Sequence, residues 1–287
     1  MKKKILATVT AILAAIAIAG ITIGIFNIYK RDTTAENISF PDKLGVWWWD
    51  NRIDDTYLNF AYEQGVTDIY YYASSFTQKI SDFIEKADKK NIKVYWLCGK
   101  YEWIEDNAAL YAKIEEYRNF QQQSEHKFAG IHFDIEPHQH PDFESDRQRL
   151  ITDYVRLTFS LSEIYQDIHI EYDIPFWLHD EITVNGIKKP AYAFVIDNAD
   201  DVTVMSYRDS AEAIYDCARE ETEYATSVGK VIDFGVETSE NEDDIVTFYE
   251  EGAEFMQSQL SELRKIIPDN CGISVHHIKS WKELKQR

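Results

Sequence analysis

From Leu44 onward the chain alternates between two hydrophobic patterns. Short apolar runs rich in β-branched and aromatic residues are followed by longer stretches whose apolar positions recur every three to four residues. The first pattern suits strands buried on both faces, the second amphipathic helices. Strands are predicted at 44–49, 67–73, 92–98, 128–134, 168–174, 202–207, 231–236 and 272–277. Helices are predicted at 55–64, 76–90, 104–124, 143–165, 192–199, 211–228, 243–267 and 280–286. Gly65, Asn91, Gly229 and Asn270 with Gly272 stand between a helix and the next strand, as helix-stop signals do. This alternation over about 240 residues predicts an α/β fold closed as a (β/α)8 TIM barrel. An open doubly wound sheet would want a glycine-rich phosphate loop after its first strand. Trp47-Trp48-Trp49-Asp50 occupies that place.

The first residues follow a different pattern. Three lysines precede an uncharged run at 5–29, and Lys30 and Arg31 follow it. A signal-peptide apolar core is usually about 7–15 residues, whereas about 20 span a bilayer. Residues 1–31 therefore read as a signal or transmembrane anchor, 32–43 as a short tether and 44–287 as the barrel domain. The leading lysines favour a cytoplasmic N-terminus, which would put the barrel outside the cytoplasm at the cell membrane. Cleavage near Ala17-Ile18-Ala19, giving a secreted protein, is the alternative. Net charge is -20. So acidic a surface repels phosphate backbones, which argues against nucleic acid as a partner. Cys98, Cys217 and Cys271 show no metal-ligand or disulfide-framework spacing and read as free thiols, two of them in or beside strands.

Candidate chemistry centres on Gly130-Ile131-His132-Phe133-Asp134-Ile135-Glu136-Pro137. Residues two apart on a strand share a face, so His132, Asp134 and Glu136 point together, and Pro137 ends the strand beside Glu136. Two adjacent acids repel, so one pKa should rise, and the expected proton holder is Glu136 as a general acid. Barrel sites lie at the C-terminal strand ends. Those ends carry Trp49, Tyr72, Asp134, Glu136, Asp173, Trp177, Tyr207, Arg208, Glu237, His276 and, just beyond, Trp281. Acids among tyrosines and tryptophans suit a carbohydrate: acids for the glycosidic bond, aromatic faces for sugar rings.

The strand-4 segment resembles the D-x-x-D-x-D-x-E motif of family 18 glycoside hydrolases, the chitinase-like barrels. Asp134 and Glu136 match its last two acids, while Ala129 and His132 stand at the first two. Met205-Ser206-Tyr207 resembles that family's strand-6 M-x-Y, with Arg208 where an acid or amide follows. Trp281 stands near the family's strand-8 tryptophan, the floor of the sugar site. The resemblance implies that Glu136 is the proton donor. It also implies that Asp134 and Tyr207 position the acetamido group of an N-acetylated substrate. Trp49, Tyr72, Asp173, Trp177, Arg208, His276 and Trp281 are then expected to bind the glycan. A second resemblance is to clan A retaining glycosidases, with Glu136-Pro137 ending strand 4 and Glu237 as the strand-7 nucleophile. No cofactor is expected. Two rival readings remain open. One is a barrel that binds glycan without turnover. The other is a metal-dependent hydrolase using His132, Asp134, Glu136 and His276, although the strand-1 H-x-H of such barrels is missing.

Overall fold

The computed structural model describes residues 43–284. The predicted anchor at 5–29 and nearly all of the tether lie outside them. Among the described residues no helix is long and apolar enough to cross a membrane.

Eight parallel strands close a barrel: β1 (Leu44–Trp48), β2 (Asp68–Tyr72), β3 (Lys93–Cys98), β4 (Ile131–Phe133), β5 (Ile170–Pro175), β8 (Asp201–Met205), β9 (Asp233–Glu237) and β10 (Gly272–His276). β10 pairs with β1 to complete the ring. The helices are α1 (Asp55–Gln64), α2 (Gln78–Asp88), α3 (Asn107–Gln123), α4 (Phe143–Ile164), α5 (Ala191–Asn198), α6 (Ala211–Cys217), α7 (Arg219–Ser227), α8 (Ala253–Ile266) and α9 (Ile278–Glu283). The predicted barrel and all its strands are present.

Three expectations are corrected. Between β5 and α5 the chain makes an antiparallel hairpin, β6 (Glu181–Val184) and β7 (Ile187–Pro190), where no element was predicted. Its turn is Asn185-Gly186, both at positive φ (52° and 79°), the geometry of a tight hairpin turn. The helix expected over 211–228 breaks at Ala218 into α6 and α7. The one expected over 243–267 is a short 3-10 turn at Asp244–Val246 followed by α8.

The alternation along each strand sorts residues between two environments. Leu44, Val46, Trp48, Ile69, Tyr71, Val94, Trp96, Ile131, Phe133, Ile273 and Val275 belong to the large apolar core shared with the helices. Trp48 meets Tyr57, Tyr71 and Phe83 edge-on at 5.6, 5.7 and 5.3 Å. Such pairs add about 0.5–1.5 kcal/mol each beyond area burial. The other strand face forms a smaller cluster of Trp47, Tyr70, Tyr95 and Leu97, with Trp49 and Tyr72 packed against it. The buried polar groups Asp68, His132, Glu171, Asp173, Thr203, Asp233 and Ser274 occupy this same alternate set of positions. Residues at the upper end of that set reach the C-terminal rim.

Candidate active site

β4 is short because of what surrounds it. Asp134 N–H donates to the Cys98 carbonyl at 2.9 Å, and a Cβ on Gly99 would lie 1.6 Å from the Asp134 carbonyl oxygen. Only glycine lets the two strand ends approach so closely. Pro137 then opens a 3-10 turn (Pro137–Gln139), leaving Glu136 at its mouth. Ile131, Phe133 and Ile135 are buried on one side. His132, Asp134 and Glu136 alternate onto the other, with His132 fully buried and the two acids half-buried.

His132 lies between two carboxylates. Nδ1 is 2.9 Å from Glu171 Oε2, and Nε2 is 2.9 Å from Asp173 Oδ1. An acceptor on each nitrogen requires both to carry protons, so the ring is an imidazolium. Burial opposes that charge, but Asp173 and Glu171 outweigh it and push the pKa up to about 10. Tyr70 stacks on the ring at 3.6 Å. Glu171 also meets Lys43 Nζ at 3.3 Å and His169 Nε2 at 3.1 Å. Burial would raise this carboxyl, yet Lys43 and the two histidines hold it well below the usual carboxylate range. Lys43 continues the chain of charge to Asp201 at 2.6 Å and Asp233 at 2.8 Å. An ionic network thus runs inside the barrel from Lys43 to Asp173.

That network corrects one expectation. Asp173 was predicted to bind substrate, but it is only 1% exposed. Its Oδ1 faces His132 and its Oδ2 accepts from Trp47 Nε1 at 2.8 Å. It supports the site from beneath. The metal alternative loses its central ligand for a related reason: both His132 nitrogens are taken. Among the described residues no group of three or more His, Cys, Asp or Glu is arranged to hold a metal ion.

Asp134 and Glu136 sit above this network. Asp134 Oδ1 is buried and has no hydrogen-bond partner. Burial, then the charges of Asp173 and Glu136, raise its carboxyl well above the usual range against the pull of His132. The repulsion expected between the two acids is therefore felt at Asp134. Glu136 Oε1 accepts from Gln139 Nε2 at 2.5 Å, and His138 Nε2 lies 3.1 Å from Oε2. Trp177 meets the His138 ring at 5.3 Å and carries Arg147 over its face at 4.8 Å. Tyr207 closes the group from the end of β8. Burial raises its phenol well above normal, and the charges of Glu237, Asp173, Asp134 and Glu136 add to the effect. Arg208 Nη1 donates to the Tyr207 carbonyl at 2.6 Å.

Across the rim, Glu237 accepts three hydrogen bonds. Oε1 accepts from the Thr238 and Ser239 N–H groups at 2.7 and 2.6 Å, and Oε2 from His276 Nδ1 at 2.8 Å. Burial would raise its pKa, but His276 and the Ser239 amide hold it below the usual range. Trp49 Nε1 donates to His276 Nε2 at 2.9 Å, which fixes the ring as the Nδ1–H tautomer. Trp49 and Tyr72 stand 6.0 Å apart, both half-buried, and form an aromatic wall beside His276. Trp281 is the second correction. β10 ends at His276, so Trp281 falls inside α9 and not at the strand end. It is buried against Phe60 at 5.3 Å and lines a cavity of about 290 Å³ with residues of α1 and α8.

The rim thus brings together Asp134, Glu136, Tyr207, Glu237, His276, Trp49, Tyr72, Trp177 and Arg208. It excludes Trp281 and submerges Asp173. The predicted set omitted Lys43, Glu171 and His138. Glu171-Tyr172-Asp173 had a readable signal, acids two apart in an otherwise apolar strand. No pattern pointed to Lys43, and His138 was read only as part of a loop after Pro137.

No family model and no curated protein matches this sequence. Among solved structures the chain is similar to the spore cortex-lytic enzyme SleL of Bacillus cereus. The identity is 14%, over 88% of this chain and 75% of that one, with a TM-score of 0.52. It is similar to a chitinase from Rhizomucor miehei at 10% identity, over 84% and 99%, with a TM-score of 0.53. It is also similar to a GH18 chitinase from Cycas revoluta in complex with (GlcNAc)3, at 12% identity, over 83% and 95%, with a TM-score of 0.50. What the chain shares with these proteins at such low identity is its fold, the (β/α)8 barrel.

Proposed function

We propose that this chain is a glycoside hydrolase acting on a glycan that contains N-acetylated sugars. The observation that carries the reading is the pair at the end of β4: Asp134, with one carboxyl oxygen buried and its pKa raised by burial and by neighbouring charges, beside the half-buried Glu136, with Tyr207 in the same field of charge. The Cycas revoluta chitinase is in complex with (GlcNAc)3, and the same ligand class suits this rim.

In this mechanism Glu136 in its acid form gives its proton to the glycosidic oxygen. The substrate's acetamido carbonyl oxygen attacks the anomeric carbon as the leaving group departs. Asp134 and Tyr207 orient the acetamido group. Water then opens the cyclic intermediate, with Glu136 taking back a proton. His132 stands where the family 18 motif has an acid. Glu171 and Asp173 on β5 supply carboxylates from the neighbouring strand, so the site is still built over a buried ionic pair.

A double displacement through Glu237 gains no support: both its oxygens accept hydrogen bonds, three in all, and the residue is only 8% exposed. A nucleophile needs a free lone pair directed at the sugar. The discriminating experiment compares reducing-end release from chitin oligosaccharides and from their de-N-acetylated counterparts. Release is expected only with the acetyl group present. Equal release from both would remove substrate assistance. Release from neither, with glycan still bound, would favour the non-catalytic reading that Ala129 and His132 suggest.

The proposed location is outside the cytoplasm, tethered by residues 5–29, which lie outside the described residues. Protease added to intact cells or protoplasts should digest the barrel. Protection until lysis would reverse the orientation.

A further inference from the structure

We infer that the glycan carries a carboxylate, and that Arg208 is its receptor in a subsite beside the cleavage point. The inference rests on the glycosidase reading and narrows its substrate. Arg208 is half-buried, and its guanidinium lies 4.9 Å over the Phe176 ring. Its hydrogen bond is to the Tyr207 carbonyl. Among the described residues it has no carboxylate within 4.0 Å. The other described arginines pair with acids, except Arg264, which donates to the backbone carbonyls of Pro268, Asp269 and Cys271. In a chain of net charge -20, an arginine without an acid is unexpected. A charge held partly out of water is costly unless paired, and guanidinium is shaped to take a carboxylate through two parallel hydrogen bonds.

The location connects this charge to the catalytic group. Arg208 shares an open cleft of about 580 Å³ with Phe176, Trp177, His179 and Asp216, the last of which is paired with Arg219. Trp177 packs on His138, which reaches Glu136. A sugar lying against Trp177 would thus place a ring substituent at Arg208 while its neighbour meets Glu136. A guanidinium in the cleft favours an anionic ring substituent. Two kinds of sugar supply it: a uronic acid, whose carboxylate is on the ring, and an amino sugar bearing a lactyl ether.

Binding is best measured by calorimetry in a Glu136→Gln background, so that no probe is consumed. The probes are peptide-free peptidoglycan strands, which carry lactyl carboxylates, hyaluronan oligosaccharides, which carry uronates, carboxyl-reduced forms of both, and neutral chitotetraose. A charge-assisted pair predicts that one carboxylated probe binds about 10- to 100-fold tighter than its reduced form. That ratio should collapse to about twofold or less in Arg208→Gln and persist in part in Arg208→Lys. Whichever carboxylated probe shows the preference identifies the source. Equal affinity for native and reduced probes overturns the inference, as does a preference that survives Arg208→Gln in a folded variant. Binding of chitotetraose as tight as either carboxylated probe overturns it too, but leaves the glycosidase reading standing. Failure to bind any of the glycans overturns both.

Discussion

Replacing Glu136 by glutamine should lower glycan turnover by about 10²–10⁴-fold, the contribution of a positioned general acid. The substitution is nearly isosteric. Glutamine keeps a hydrogen-bonding oxygen for Gln139 Nε2, and its amide can still meet His138, so the 3-10 turn after Glu136 need not move. What it loses is the proton for the leaving oxygen. The fall should therefore appear in kcat, with glycan affinity within a few-fold of wild type. Steady-state kinetics and direct binding separate the two. A variant that turns over at the wild-type rate would remove Glu136 from the mechanism. A variant that loses binding and turnover together would make it a substrate-contact residue instead.

The second large effect is expected on stability. His132→Leu should destabilise the barrel by about 3–5 kcal/mol, the cost of removing one partner from a buried charge cluster. Leucine fills a similar volume, so packing is largely kept. The cost comes from Glu171 and Asp173, which remain buried without their shared cation. The pH dependence separates this cause from a packing defect. In the wild type the His132 pKa is raised from 6.5 to about 10. Its stabilisation is complete below the unfolded value of 6.5 and is lost as pH rises through about 10. In the variant both carboxylates lose that cation, Glu171 keeping only Lys43 and His169, so ionising them inside the barrel costs more and stability begins to fall at lower pH. The gap between the proteins should be small in mild acid, widest near neutrality and narrower again by about pH 10. Urea midpoints at several pH values measure it. A gap independent of pH would assign the loss to packing and sink the ionic account.

The barrel was legible in the sequence because its strands are buried and its helices amphipathic. These two periodicities are local and survive without knowledge of neighbours. The bounds of α1 match the predicted 55–64: Gly65, read in the sequence as a stop, closes its end, and in the structure Asp54 caps its start. The hairpin was not read. β7 is Ile-Lys-Lys-Pro, too polar to register as a strand, although Asn185-Gly186 marked the turn. The shared face of His132, Asp134 and Glu136 was also local, since alternation alone decides it.

Tertiary structure decided what each group does there. Whether an acid is free, saturated or protonated depends on partners far away in sequence. Asp173 meets Trp47 and His132, Glu237 meets His276, and Glu171 meets Lys43. Asp134 has a raised carboxyl because it is buried and feels the charges of Asp173 and Glu136. Trp281 missed the rim because β10 ends at His276 and the next turn faces α1 and α8. Strand and helix follow from the sequence itself, because backbone geometry and side-chain period act over a few residues. The site does not, because burial and charge pairing are set only when strands distant in sequence close around one axis.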